Sequence, residues 1–201
     1  MEDCNLALVI LAAGSSSRMG TSKQLLPVGE GQTLLERTVS CALDSSGAEV
    51  VVVLGCDAEP HHLVLKDKPV RVLINTDWAL GMGNTLKFAL KNILERNPLI
   101  QAVLFMVCDQ PLISSGHLKA MIDLYVHENP VAVASTYNNQ VGVPAFFDKV
   151  IFPELLSIED HSGAREVLRR LKSNLKLIPF EAGAVDLDTP EDYKIFLQNY
   201  K

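Results

Sequence analysis

Residues 6–13 are apolar without a break, and the run stops at Gly14, where a polar, serine-rich and basic turn begins. An apolar run without alternation suits a strand buried on both faces, the habit of parallel sheets. The construction recurs: residues 50–54 end at Gly55, and residues 102–107 end at Cys108-Asp109-Gln110-Pro111. Apolar runs at 70–74, 131–134, 141–147 and 175–180 read as further strands, with a polar turn at 137–140 and a short extended piece at 184–187. Between the strands, apolar residues fall at helical spacing. Leu34, Leu35, Val39, Ala42 and Leu43 share one face, as do Leu86, Ala89, Leu90, Ile93 and Leu94. Leu118, Met121, Ile122 and Tyr125 mark a third helix, and Ala164, Val167, Leu168 and Leu171 a fourth. A last helix has a defined start: Thr189 can cap it, Pro190 suits its first position, and Glu191 and Asp192 favour the positive end of its dipole. Its apolar face is Tyr193, Phe196, Leu197 and Tyr200.

Strands alternating with helices predict an α/β fold, three-layered and Rossmann-like, with a mostly parallel, mixed sheet. The 201 residues fit a single domain spanning 1–201. The alternation weakens after about Ser135, where a smaller lobe is expected within 136–185. In open α/β sheets ligands sit beyond the carboxyl ends of the strands. Three unusual stretches occupy such ends: the 14–23 loop, the chain after Gly55, and 108–111.

The net charge of −6 disfavours a general nucleic-acid binder, but local cations can still hold a phosphate. With 48% hydrophobic and 21% charged residues the chain reads as globular, and no apolar run reaches membrane-spanning length. Cys4, Cys41, Cys56 and Cys108 lack zinc or CxxC spacing, and the last three lie in apolar surroundings. Thiols of that kind, and an acidic start where a signal peptide would be basic, predict a cytoplasmic protein.

The 14–23 loop carries small residues, which let backbone N–H groups approach an anion, together with Arg18 and Lys23. It is neither GxGxxG nor a Walker loop, and it reads either as a connection or as a triphosphate cradle. A connection has no need of two cations. Asp109 is either a turn residue before Pro111 or a ligand for Mg²⁺, which takes one or two carboxylates plus substrate phosphates. Asp186 and Asp188, two apart in an extended piece, project to one side and can complete that metal site. Capping of the last helix is their other reading. Gly81 and Gly83 can open a helix whose N-terminus faces ligand, and Trp78 reads as a packing residue. His61 and His62 are expected at the surface.

These motifs resemble the nucleotidyltransferases of the molybdenum-cofactor type, in particular the cytidylyltransferase that joins CTP to the molybdopterin cofactor. LAAGSSSRMGTSKQLLPV at 11–28 is similar to the family's opening signature, and NTDWALGMGNTL at 75–86 to its second nucleotide segment. CDQP at 108–111 resembles its metal-binding turn, SGAREVL at 162–168 its GAR segment, and DLDTPEDY at 186–193 its closing motif. The resemblance implies the fold of that family and a Mg²⁺-dependent transfer of CMP from CTP to molybdopterin, with release of pyrophosphate. It implies that Leu11, Ala12, Ala13 and Gly14 hold base and sugar, that Arg18 and Lys23 bind the triphosphate, and that Asn75, Gly81, Met82 and Thr85 complete the nucleotide site. Lys23, Arg18 and Asp109 would be catalytic. Asp109 would bind Mg²⁺ with Asp186 or Asp188, and Ala13, where guanylyl relatives have Gly, favours CTP over GTP. Gly142, Pro144 and Arg165 would lie on the acceptor side, in the lobe within 136–185. The departures fall on that side: Val143 stands where the family often has His, and His161-Ser162 interrupts its GDxGAR pattern. The implied partners are a nucleoside triphosphate, a phosphorylated small-molecule acceptor and a molybdenum hydroxylase, with no nucleic acid and no membrane. The alternatives are a cytidylyltransferase for a sugar phosphate or methylerythritol phosphate, and a non-catalytic maturation factor for a molybdenum hydroxylase.

Overall fold

A computed structural model describes residues 5–171 and 174–200; Cys4 lies outside them. β1 (Leu6–Ala12) is an interior strand of the sheet, pairing in parallel with β2 (Glu49–Leu54) on one side and β4 (Ala102–Val107) on the other. Helices cover both faces, so every side chain of the strand needs an apolar neighbour. Leu8, Ile10 and Ala12 enter one core, and Ala7 and Val9 the other, which is why the run shows no alternation. Each of Leu8, Val9 and Ile10, buried in full, contributes about 1.5–3 kcal/mol.

The remaining strands are β3 (Arg71–Ile74), β5 (Ala132–Tyr137), β6 (Gln140–Asp148) and β7 (Leu175–Pro179). The seven-stranded sheet runs β3-β2-β1-β4-β6-β5-β7. Pairing is parallel except for β6, which runs antiparallel to both β4 and β5, so the sheet is mixed as expected. Asn138 and Asn139, both with positive φ, make the two-residue turn between β5 and β6. Residues 136–185 supply β6 and β7 to the same sheet.

One face carries α1 (Leu34–Ser45), α2 (Ala58–Val64), α4 (Ser115–Glu128) and α7 (Pro190–Asn199). The other carries α3 (Met82–Arg96), α5 (Phe152–Leu156) and α6 (Ala164–Leu171). Thr189 caps α7 reciprocally with Asp192, and Thr33 caps α1 with Glu36 in the same way. No helix among the described residues is long and apolar enough to cross a membrane.

Two expectations are corrected. Residues 184–187 form no strand: Glu181–Ala184 is a 3-10 turn, Val185 N–H donates back to the Ala182 carbonyl at 3.2 Å, and Leu187 N–H donates to the Asp109 carbonyl at 2.9 Å. These bonds and the buried Leu187 side chain hold the segment without a ladder. His61 is not a surface residue. It is 1% exposed, on the face of α2 that packs toward the first loop, while His62 points outward.

Gly81 and Gly83 open α3 because another backbone lies against them. A Cβ on Gly81 would sit 2.6 Å from the Asp160 carbonyl, and one on Gly83 would collide with the Glu159 carbonyl and stand 2.8 Å from that of Ser162. Asn84 N–H donates to the Asp160 carbonyl, and Lys87 pairs with the Asp160 carboxylate at 2.8 Å. Loop 158–162 is therefore pinned onto the first turns of α3. Within a helix Gly→Ala ordinarily stabilises by about 1 kcal/mol. Gly83→Ala should instead destabilise by about 1–3 kcal/mol through overpacking, read as a lower urea midpoint; a raised midpoint would show that this loop does not rest there.

Candidate active site

The ends of β1 and β4 lie side by side, and the loops that leave them build one cleft of about 460 Å³. Of the residues singled out from sequence, Leu11, Ala12, Ala13, Gly14, Arg18, Lys23, Gly81, Met82, Asp109 and Asp188 all line it. A volume of this size accommodates a nucleotide-sized ligand.

At its floor the Lys23 ammonium donates to Asp109 Oδ2 and to Asp188 Oδ1, each at 2.8 Å. Arg18 adds a 2.9 Å bond to Asp188 Oδ2. The two cations differ in freedom: the Lys23 side chain is 14% exposed and the Arg18 side chain 70%. Burial works against the Lys23 charge, but Asp109 and Asp188 outweigh it and hold the ammonium above the usual lysine range. Partial burial likewise opposes the Asp188 charge, yet Lys23 and Arg18 hold that carboxyl below its usual range. Asp186 stands within reach of the same charges. Partial burial first, then Asp109 and Asp188, push its carboxyl up to about 6, with Lys23 and Arg165 pulling the other way. The three carboxylates thus carry more negative charge than the fixed cation compensates.

The loop itself is held from behind. Gln24, 2% exposed, donates through Nε2 to the carbonyls of Ala12 and Gly14 and accepts through Oε1 from the hydroxyls of Ser16 and Ser22. Lys23 N–H donates to Ser16 Oγ. His61 Nε2 lies 2.5 Å from Ser22 Oγ. Across the cleft, Trp78 and Met82 supply an apolar wall, and Gly55 makes room for it, since a Cβ there would stand 2.6 Å from the Trp78 Cβ and 2.8 Å from the Ala13 Cβ. Cys108 also faces the cleft, but burial pushes its thiol up to about 12, so it is no nucleophile near neutral pH.

The remaining sequence candidates are not brought to the cleft wall. Asn75 and Thr85 are buried behind it: Asn75 Nδ2 donates to Thr85 Oγ1 and to Asn84 Oδ1, and Thr85 donates to the Gly81 carbonyl. They hold the start of α3 and do not themselves line the cleft. Gly142 sits where a Cβ would strike the Tyr137 hydroxyl, to which Arg165 donates at 3.3 Å. The Pro144 carbonyl accepts from Ser135, whose hydroxyl also meets His117 Nε2 at 2.8 Å. Gln110 ties the two regions together, donating to the carbonyls of Val143 and Gly183. Sequence reasoning missed Gln24, His61 and the lining role of Trp78. Gln24 directly follows Lys23 but offers no charge or spacing signal, and the seven residues of α2 are too few to show a periodicity.

Residues 8–175 match the family model for the MobA-like NTP transferase domain. Over 195 residues the chain is 27% identical to the purine catabolism protein PucB of Bacillus subtilis, covering 92% of each. Over 194 residues it is 28% identical to the nicotine blue oxidoreductase of Paenarthrobacter nicotinovorans, covering 91% of this chain and 92% of that one. Among solved structures it is similar to the crystal structure of Rv0371c from Mycobacterium tuberculosis H37Rv, with a TM-score of 0.82, 26% identity and coverage of 99% and 100%.

Two outcomes are expected of this site and its surroundings. Trp78 is the single tryptophan of the chain and lines the cleft, so intrinsic fluorescence should change when a nucleoside triphosphate binds; binding seen calorimetrically without a fluorescence change would put the ligand away from this wall. Burial holds both His61 and His117 below the ordinary value of 6.5. The unfolded chain then binds protons that the folded chain refuses, so stability is lost as pH falls below about 6.5. Asp186, raised to about 6, works in the opposite sense over the same interval, so the check is a difference: urea midpoints between pH 5 and 8 should lose less on the acid side in His117→Gln than in wild type.

Proposed function

Because this chain belongs to the MobA-like NTP transferase family, we propose that it transfers CMP from CTP to the molybdopterin cofactor and releases pyrophosphate. Nucleotidyl transfer as such follows from the family. The observation that carries it is the Lys23 ammonium held between Asp109 and Asp188 at the floor of a cleft edged by the 14–23 loop.

In this reading the backbone of Leu11, Ala12, Ala13 and Gly14 holds base and sugar, and Gly81 and Met82 close the other side. Ala13 carries a methyl group into a crowded corner beside Gly55, which supports a pyrimidine over a purine. Arg18, exposed and tethered at one point, turns toward the triphosphate, and Lys23 neutralises charge that develops on the leaving pyrophosphate. An oxygen of the acceptor's terminal phosphate attacks the α-phosphorus, a new P–O bond forms, and the bond to the β-phosphate breaks with its electrons leaving on pyrophosphate. No covalent intermediate with the protein is required, because positioning and charge neutralisation suffice. Gly142, Pro144 and Arg165 border the acceptor, with Gln110 setting their distance from Asp109.

The donor chemistry fits a hard divalent ion. The candidates Asp109, Asp186 and Asp188 are all carboxylates, and Asp186 is raised by its partial burial first and by Asp109 and Asp188 after it. Among the described residues no group of three or more acidic, histidine or cysteine side chains is gathered as a metal cage. Two carboxylates, Asp109 with Asp186 or Asp188, plus ligand phosphates would therefore hold Mg²⁺, which would supply charge neutralisation of the phosphates. A molybdenum hydroxylase is the partner this product would serve.

The test is thermal stabilisation by each of the four nucleoside triphosphates with Mg²⁺, followed by pyrophosphate release with molybdopterin, a sugar phosphate or methylerythritol phosphate as acceptor. CTP and molybdopterin should give the largest responses. A preference for GTP, turnover only with another acceptor, or binding with no turnover under any acceptor would replace the reading. Lys23→Ala and Asp109→Ala should each lower pyrophosphate release by at least about 10²–10³-fold, with circular dichroism unchanged. Wild-type release from either variant removes the role given to that residue.

A further inference from the structure

His61 is buried, at 1% exposure, and the hydrogen bond it makes is directed at the loop and not at its own helix. The Ser22 hydroxyl donates to Gln24 Oε1 at 3.0 Å, so the His61–Ser22 contact of 2.5 Å requires an Nε2–H on the imidazole. That tautomer leaves Nδ1 as a buried acceptor, and among the described residues Nδ1 has no partner. An unsatisfied buried acceptor destabilises the fold. A leucine would fill the same space without that cost, so packing does not account for a histidine here.

What the imidazole supplies is a fixed donor to Ser22. The consequences run through Gln24. With Ser16 and Ser22 donating to its oxygen and its nitrogen donating to Ala12 and Gly14, both donor positions and both acceptor positions of the amide are in use. One buried amide therefore spans the turn from its first residues to Ser22. Ser16 in turn accepts from the backbone N–H of Lys23, the residue whose ammonium lies between the two aspartates. Ser22 sits at the margin of this network, half-buried, where water competes for its hydroxyl. The His61 bond removes that competition and orients the Ser22 hydroxyl toward Gln24.

We propose that His61 is a positioning residue, which through Ser22 and Gln24 presets the 14–23 loop to receive a triphosphate. The proposal rests on the reading of that loop as a triphosphate site. A misplaced loop lowers nucleotide affinity more than it slows chemistry on nucleotide once bound. Glutamine can place an N–H near the position of Nε2, whereas asparagine is too short to do so.

The experiment titrates CTP and GTP, each with Mg²⁺ and without acceptor, into wild type and into His61→Gln, His61→Asn, His61→Leu, Ser22→Ala and the Ser22→Ala/His61→Leu double variant. Steady-state pyrophosphate release and melting temperatures are recorded alongside. His61→Asn, His61→Leu and Ser22→Ala should each raise Kd and KM for the nucleotide about tenfold, the effect of about one hydrogen bond. Their kcat should stay within about twofold of wild type, and the double variant should be no worse than either single one. His61→Gln should restore affinity to near wild type. If His61→Leu does not fold, the half-buried Ser22→Ala and the polar His61→Asn still carry the comparison. Variants that melt earlier yet bind nucleotide like wild type would show His61 to be structural only and overturn the proposal. Equal losses in His61→Gln and His61→Leu would overturn it too. A wild-type protein that binds no nucleoside triphosphate is recognised from its own arm, and overturns the functional reading together with this one.

Discussion

The Lys23 ammonium between Asp109 and Asp188 is the contact on which the arrangement of the cleft depends. It joins three pieces of chain that are far apart in sequence: the turn after β1, the end of β4 and the residue just before the cap of α7. A lysine this enclosed loses much of its hydration, and two carboxylates at 2.8 Å restore what it loses. The carboxylates keep partial contact with water, Asp109 at 25% and Asp188 at 32% exposure of their side chains. The clamp is therefore dry enough to have direction and wet enough to exchange partners. The exposed Arg18–Asp188 pair adds little to stability by comparison.

The clamp can form only because of the sheet. The first three strands step outward in one direction, β1 to β2 to β3, and α3 then returns the chain to the other side of β1 as β4. The reversal leaves a crevice beyond the carboxyl ends of β1 and β4, where loops diverge instead of packing over one another. Both runs are buried on both faces, so their ends are rigid to within the packing of the core. The opposite wall comes from Trp78, Gly81 and Met82 at the start of α3, and loop 158–162 backs that start through the missing Cβ atoms of Gly81 and Gly83 and the Lys87–Asp160 pair. His161 and Ser162 therefore sit behind the wall and not in it.

Where periodicity was long and composition extreme, sequence was enough. The runs at 6–13, 50–54 and 102–107 are strands, and Thr189 caps α7, because each is decided by local chemistry. Lys23 and Asp109 could be singled out as charges beyond strand ends and Asp188 as one of a carboxylate pair, but not as one contact, since no spacing rule links positions 86 and 165 residues apart in sequence. His61 was illegible for the opposite reason. Two adjacent histidines on a short helix look alike, and only the tertiary position of α2 sends one inward to Ser22 and the other to solvent. Asn75 and Thr85 belong to a segment that does reach the cleft, yet their side chains turn back to close the start of α3. Membership of a motif placed the segment; the hydrogen bonds available to each side chain decided which residues face outward. Residues 184–187 were misread because a short apolar stretch carries no sign of whether a neighbouring strand exists to pair with it.

On the proposed reading the clamp also explains how a site so rich in carboxylate can receive a polyanion. Asp109, Asp186 and Asp188 together would repel a triphosphate, and Asp186, raised first by its partial burial and then by Asp109 and Asp188, feels part of that repulsion within the protein itself. Lys23 spends its charge on Asp109 and Asp188, so its position is fixed but its field at the cleft is largely cancelled. A divalent ion held by Asp109 with Asp186 or Asp188 would supply positive charge to those carboxylates, and Lys23 would then be free to turn toward the phosphates without leaving two bare anions behind. The loop must stay in place while the side chain changes partners, and that demand falls on the Gln24 amide and the hydroxyls around it, not on the clamp. A mobile charge on a fixed backbone is what the separation of Lys23 Nζ from Lys23 N–H, one bonded to aspartates and the other to Ser16, provides.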